Sequence, residues 1–171
     1  MTPAAADAEF LPDRVAELAA LAESLEPTAG GTRVLAIDGR SGAGKSTLAA
    51  LLSNRSGAEV VSLEYLYGGW DDLEGGASRL VSDLLDPLAR GDLATVPQFD
   101  WTTGDWGDPM TVASPELLIV EGIGSFSRAA AKLCGAGIWL EAPEPVRLQR
   151  ATAREGGVHP GWWLSWAEQE D

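Results

Sequence analysis

Residues 36 to 50 read AIDGRSGAGKSTLAA, three glycines, a lysine and three hydroxyls set between two apolar runs. Gly39, Arg40, Ser41, Gly42, Ala43, Gly44, Lys45 and Ser46 fit G-x-x-x-x-G-K-[ST], and the motif carries meaning only where a strand precedes it and a helix follows. Both flanks meet that condition. Val34 to Ile37 is a short apolar run ahead of Asp38-Gly39, and KSTLAALLSNRSG has the composition of a helix closed by a glycine. The glycines let the backbone curl so that successive N–H groups point inward at phosphate oxygens, and the helix N-terminus adds favourable potential. Lys45 then reaches the phosphates, Ser46 holds Mg²⁺, and Gly39 to Thr47 forms the nucleotide cradle. The stretch predicts a nucleoside triphosphate site.

Outward from the loop, Glu59 to Leu63 (EVVSL) is a second strand, so strand, helix and strand follow within about 30 residues as a right-handed βαβ unit. Leu117 to Val120 (LLIV) and Gly137 to Leu140 (GIWL) read as further buried strands. Leu11, Val15, Leu18, Ala22 and Leu25 recur at helical spacing and predict a helix from Pro12 to Glu26. Ala77 to Arg90 predicts another, interrupted at Asp86-Pro87, with Ser127 to Leu133 and Pro145 to Glu155 as the remaining helices. The expected fold is α/β, a P-loop NTPase-type parallel sheet of about four to five strands with helices on both faces.

A chain of 171 residues accommodates one domain, and 45% hydrophobic residues without a low-complexity tract is ordinary globular composition. Twenty-six acidic against 12 basic side chains give a formal charge of -14, which disfavours a polyanionic partner such as nucleic acid. A small phosphorylated ligand needs only a local cluster of cations and N–H groups. Cys134, the single cysteine, allows no internal disulfide and reads as a buried apolar residue. No apolar run approaches the roughly 18 residues that span a bilayer, and MTPAAADAEF carries acidic residues where a secretory signal is basic. A cytoplasmic protein without a membrane anchor is expected.

A guanine-reading N-K-x-D segment is absent, and the D-x-x-G within DDLEGG is a weak pattern, so a switch GTPase is disfavoured. A compact phosphotransferase fits the length better than a transport ATPase or a motor.

The pieces IDGRSGAGKST, VVSLEYLY, VPQFDW, LLIVEG and VRLQRATARE occur in this order between Val34 and Glu155. Through them the chain resembles the uridine kinase-like group of P-loop small-molecule kinases. The resemblance implies one domain: residues 1–32 a helix and linker, 33–143 the core, 144–171 a lid and final helix. It implies ATP and Mg²⁺ as cofactors and a hydroxyl of a small metabolite as acceptor, with a nucleoside such as uridine or cytidine first. A sugar, a pantothenate-like acid or an aminoglycoside are alternatives, as is a regulatory module that binds nucleotide without transferring phosphate.

Glu64 stands where the similar kinases carry an aspartate that takes the acceptor's proton or assists Mg²⁺, and its extra methylene leaves the substrate geometry open. Glu121, at the end of LLIV, matches a residue of the magnesium site. Arg147, Arg150 and Arg154 form one helical stripe where the family has an arginine-bearing lid, which would neutralise the transferring phosphoryl and exclude water. Tyr65, Tyr67, Phe99, Asp100 and Trp101 are either the acceptor pocket or core aromatics and loop anchors. Trp162, Trp163 and Trp166 are expected to pack under or beside the lid, and His159 to be structural. The family continues with another strand and helix beyond the lid; here a shortened chain or a smaller sheet is expected, with an edge that a partner, a second copy among them, could cover.

Overall fold

Five residues of β1 (Arg33–Asp38) are buried, and in such a strand alternate side chains must find cover on opposite faces. The computed structural model describes residues 12–154 and 166–170. β1 lies inside a four-stranded parallel sheet with β2 (Glu59–Ser62), β7 (Leu117–Glu121) and β8 (Ala136–Trp139), in the order β2-β7-β1-β8. Leu35, Ile37, Leu117 and Ile119 face α1 (Pro12–Ser24) and α2 (Lys45–Ser56), meeting Ala19, Ala22, Leu48 and Leu52. Val34, Ala36, Leu118 and Val120 face the other way, onto Leu80, Leu84, Leu85 and Leu88 of a long helical segment. The sheet is thus covered on both faces, as the sequence predicts.

That long segment departs from expectation. It runs as α3 (Leu73–Arg79), a π-helical stretch Leu80–Leu85 and α4 (Asp86–Ala89), without a break at Asp86-Pro87. Proline lacks an N–H and its ring crowds the carbonyl four residues back. The widened π turn accommodates the ring, with Asp86 N–H donating to Val81 O. Ser127 to Leu133 forms only the 3₁₀ turn Ala130–Lys132. Gly135 N–H donates to Val34 O at 2.8 Å, which draws the chain back to the sheet before a longer helix can grow.

The strand expected at Gly137 to Leu140 begins one residue earlier, and β2 stops at Ser62, whose hydroxyl accepts from Glu64 N–H to start the 3₁₀ turn Leu63–Tyr65. Two small antiparallel pairs have no counterpart among the expected strands. β3 (Ala94–Val96) pairs with β6 (Met110–Val112), and β4 (Phe99–Asp100) pairs with β5 (Asp105–Trp106). The helix α5 (Glu144–Arg154) covers most of Pro145 to Glu155. Leu11, Glu155, His159, Trp162 and Trp163 lie outside the described residues. Among the described residues no helix is long and apolar enough to cross a membrane. Cys134 is buried and free, and burial pushes its thiol up to about 12.

Candidate functional site

The sheet's register assembles the site at the carboxyl ends of its strands, where open α/β folds collect ligands. Ile37 and Ser62 both pair with Glu121. The start of the phosphate loop, a hydroxyl and a carboxylate therefore share one row. Asp38 closes β1 as a latch: its Oδ1 accepts from Gly39 N–H at 2.7 Å and Gly124 N–H at 3.0 Å, and its Oδ2 accepts from Phe126 N–H at 2.9 Å.

From there the loop turns into α2 through Gly44, whose φ of 103° is left-handed. A glycine at this N-cap has no side chain to cap the first-turn N–H groups, and such a helix start is suited to receive an anion. Lys45 is buried, and its Nζ donates to Gly39 O at 2.6 Å and Arg40 O at 3.0 Å. Burial lowers its pKa, opposed by the carboxylates of Glu121, Glu170, Asp38 and Glu64.

Glu121 accepts from the Ser46 hydroxyl at 3.1 Å and is 3% exposed. Burial raises its pKa, while the Ser62 hydroxyl and the Lys45 ammonium pull the other way and the nearby Glu64 charge adds to the rise. A buried carboxylate and a hydroxyl in contact, with a second carboxylate near enough to be felt, are hard oxygen donors of the kind Mg²⁺ takes. Among the described residues no group of three or more His, Cys, Asp or Glu side chains could hold a metal by itself. An ion here would therefore complete its shell with phosphate oxygens and water, the usual habit of Mg²⁺.

Glu64 is exposed, in the turn after β2. It faces a cleft of about 1140 Å³ that also takes in Lys45, Ser46, Glu121, Trp70 and Trp101. The Trp101 indole N–H donates to Glu64 O at 2.8 Å, tying the aromatic wall to the carboxylate's own turn.

Two of the three arginines bond to carbonyls of the phosphate loop. Arg147 is buried and its Nη1 donates to Ser41 O at 3.2 Å, while Arg150 Nη1 donates to Gly42 O at 3.2 Å. α5 reaches the loop this closely because residue 42 lacks a side chain. A Cβ there would lie 2.8 Å from the Cα of Arg147, and the φ of 77° suits glycine. Arg150 also lines the cleft, and Arg154 is the last residue of α5.

Of the aromatic candidates, Tyr67 and Trp101 line the cleft. Tyr67 is a buried wall residue whose hydroxyl donates to Ile123 O at 2.9 Å, and burial raises its pKa. Tyr65, Phe99 and Asp100 are not among the described residues that line it. Phe99 is buried under Trp101 and Trp106, with ring centroids 5.2 and 5.3 Å away. Asp100 accepts from Thr102 N–H in the turn between β4 and β5, a bond that lowers its pKa and gives it a structural role.

Sequence reading missed Trp70, which meets Trp101 at 4.9 Å between centroids, while Trp166, expected to pack, is buried against Tyr67. Trp70 follows two glycines in YGGWDD, with no periodicity to mark it. It missed Asp38 as a latch too, although its place directly before the loop was a usable signal.

The sequence matches no protein-family model and no curated protein. Solved structures are similar to it. A possible uridine kinase from Bacillus stearothermophilus superposes with a TM-score of 0.63 at 22% identity, over 82% of this chain and 86% of that one. A provisionally named fructose transport system kinase from Silicibacter sp. TM1040 superposes with a TM-score of 0.65 at 23% identity, over 88% of this chain and 87% of that one. With its four-stranded parallel sheet and the glycine loop between β1 and α2, the chain has the P-loop α/β fold of these structures.

Proposed function

We propose that the protein is an ATP- and Mg²⁺-dependent kinase that phosphorylates a hydroxyl of a small metabolite, a nucleoside such as uridine or cytidine before others. One observation carries the reading: a single cleft joins Lys45 and Ser46 of the phosphate loop to Glu121, Glu64 and two half-exposed tryptophans, Trp70 and Trp101. The two structural neighbours are named for uridine and fructose, both rich in hydroxyls, which supports an alcohol as acceptor.

The N–H groups of the loop and Lys45 hold the phosphates, with Ser46 and Glu121 holding the metal ion. Mg²⁺, when bound, neutralises the charge on the phosphates and fixes their orientation. Glu64 accepts the acceptor's proton as its oxygen bonds to the terminal phosphorus and the bond to the bridging oxygen of ADP breaks. Trp70 and Trp101 hold the flat face of a base or sugar ring, and such positioning supplies much of the rate in phosphoryl transfer.

The test is mass-spectrometric detection of a phosphate added to any member of a nucleoside, sugar and cofactor-precursor panel, with Lys45→Ala as control. A monophosphate that disappears in Lys45→Ala, with the variant's circular dichroism unchanged, is the expected result. Equal turnover by the variant would sink the assignment.

A further inference from the structure

The single helical turn at residues 166–170 lies across the cleft and reaches the phosphate loop. Trp166 anchors it, buried against Tyr67 and Trp70 with ring centroids 5.4 and 5.5 Å away. Gln169 ties it again: its Nε2 donates to Trp70 O at 2.8 Å, and its Oε1 accepts from Leu73 N–H at 3.5 Å. These anchors set Glu170 against the loop. Its Oε1 accepts from Ser41 N–H at 2.7 Å, its side chain is 1% exposed, and Arg147 Nη1 stands 3.6 Å from Oε2.

A carboxylate on a loop N–H, beside an arginine and felt by the loop lysine, stands among the partners of a bound phosphate. It fits them incompletely, because Oε2 has the Arg147 ion pair at 3.6 Å but no hydrogen-bond partner among the described residues. A buried oxygen that makes no hydrogen bond is costly even beside a cation. The contact is therefore one that a better anion, with more acceptor oxygens to offer, can replace.

We propose that Glu170 is an internal phosphate mimic, its carboxylate held on the Ser41 N–H where a nucleotide phosphate must displace it. This rests on the nucleotide-binding reading above. Two consequences follow for binding. The apparent affinity is reduced by the fraction of molecules in which the carboxylate is seated, and a carboxylate that stays near the loop repels the incoming phosphates. Both act on the phosphates and not on the base or the acceptor.

The experiment is calorimetric titration of MgATP and of inorganic tripolyphosphate into the wild-type chain, Glu170→Ala and the near-isosteric Glu170→Gln. Glu170→Ala is expected to bind both ligands about tenfold tighter, the scale of one charge-assisted hydrogen bond no longer to be broken. Glu170→Gln, which keeps the shape and the acceptor oxygen but not the charge, is expected to fall between. Equal binding by all three proteins, or weaker binding by the variants, overturns the mimic and leaves the nucleotide site standing. Absence of binding by all three, each folded by circular dichroism, overturns the nucleotide reading and the mimic with it.

Discussion

Gly42 and Gly57 offer a matched pair, because their φ angles of 77° and 72° are nearly the same while their surroundings differ. Gly57 closes α2 with nothing within 4 Å of the place a Cβ would take, whereas a Cβ on Gly42 would sit 2.8 Å from Arg147 Cα and against its carbonyl. Left-handed backbone costs a non-glycine residue about 1 kcal/mol. In a chain of this size that is roughly 2–4 °C of melting temperature, which is the whole loss expected for Gly57→Ala. Gly42→Ala bears the same strain and must also push α5 off the loop. That motion stretches the bonds from Arg147 to Ser41 O and from Arg150 to Gly42 O, each now 3.2 Å. Hydrogen bonds to charged groups are worth about 1.5–3 kcal/mol, so weakening the two by the equivalent of one brings the total loss for Gly42→Ala to about three times that for Gly57→Ala. Urea unfolding followed by tryptophan fluorescence measures both. Equal losses would refute the close docking of α5 on the loop.

Glu121→Gln is expected to lower Mg²⁺-dependent turnover about 10- to 100-fold, yet to stabilise the ligand-free protein at neutral pH. The raised pKa of Glu121 means that its contribution to stability is full below the ordinary carboxylate range and is lost as pH rises through the raised value. The variant's melting-temperature advantage should therefore shrink on acidification; an advantage that does not depend on pH contradicts the burial argument. Trp70→Ala is expected to raise the acceptor KM about ten- to a hundredfold, the range of one lost base stack, with kcat changed far less; an unchanged KM removes Trp70 from the acceptor wall. Cys134, pushed up to about 12, should resist thiol reagents at pH 8 until denaturant is added, since only on the order of one molecule in 10⁴ is then a thiolate. Rapid labelling of the folded chain would contradict its burial.

What was legible in the sequence was local. The glycine loop, the lysine and the hydroxyls are neighbours in the chain, and β1, β2 and β7 announce themselves as apolar runs bounded by turn residues. The pairs β3 with β6 and β4 with β5 comprise strands of two or three residues, too short to show a period. The π turn ahead of Pro87 answers a steric conflict that the same residues could also have met by breaking the helix. Glu170 was least legible. Its partner Ser41 lies 129 positions away, and in AEQED a glutamate destined for a buried contact looks like its solvated neighbours. Phe99 and Asp100 were ambiguous for the opposite reason, since an aromatic beside a carboxylate serves a hairpin as readily as a pocket, and here they serve the hairpin.

The loop's carbonyls explain why the arginines sit where they do. Gly39 O and Arg40 O accept from Lys45, Ser41 O from Arg147 and Gly42 O from Arg150, so four successive carbonyls each receive a cationic donor. Peptide planes fixed by their oxygens have their N–H groups fixed as well, and the Ser41 N–H is turned toward the anionic Glu170. Asp38 fixes the start of the same loop by accepting from the Gly39 N–H. The cradle is thus shaped by the protein's own charges before any phosphate arrives, which is the preorganisation that electrostatic catalysis requires. Of the three cations, Lys45 alone must exchange its carbonyls for phosphate oxygens in the proposed reaction. The bonds of Arg147 to Ser41 O and of Arg150 to Gly42 O are compatible with that exchange, a placement on the loop's own carbonyls that a helical stripe in the sequence could not reveal.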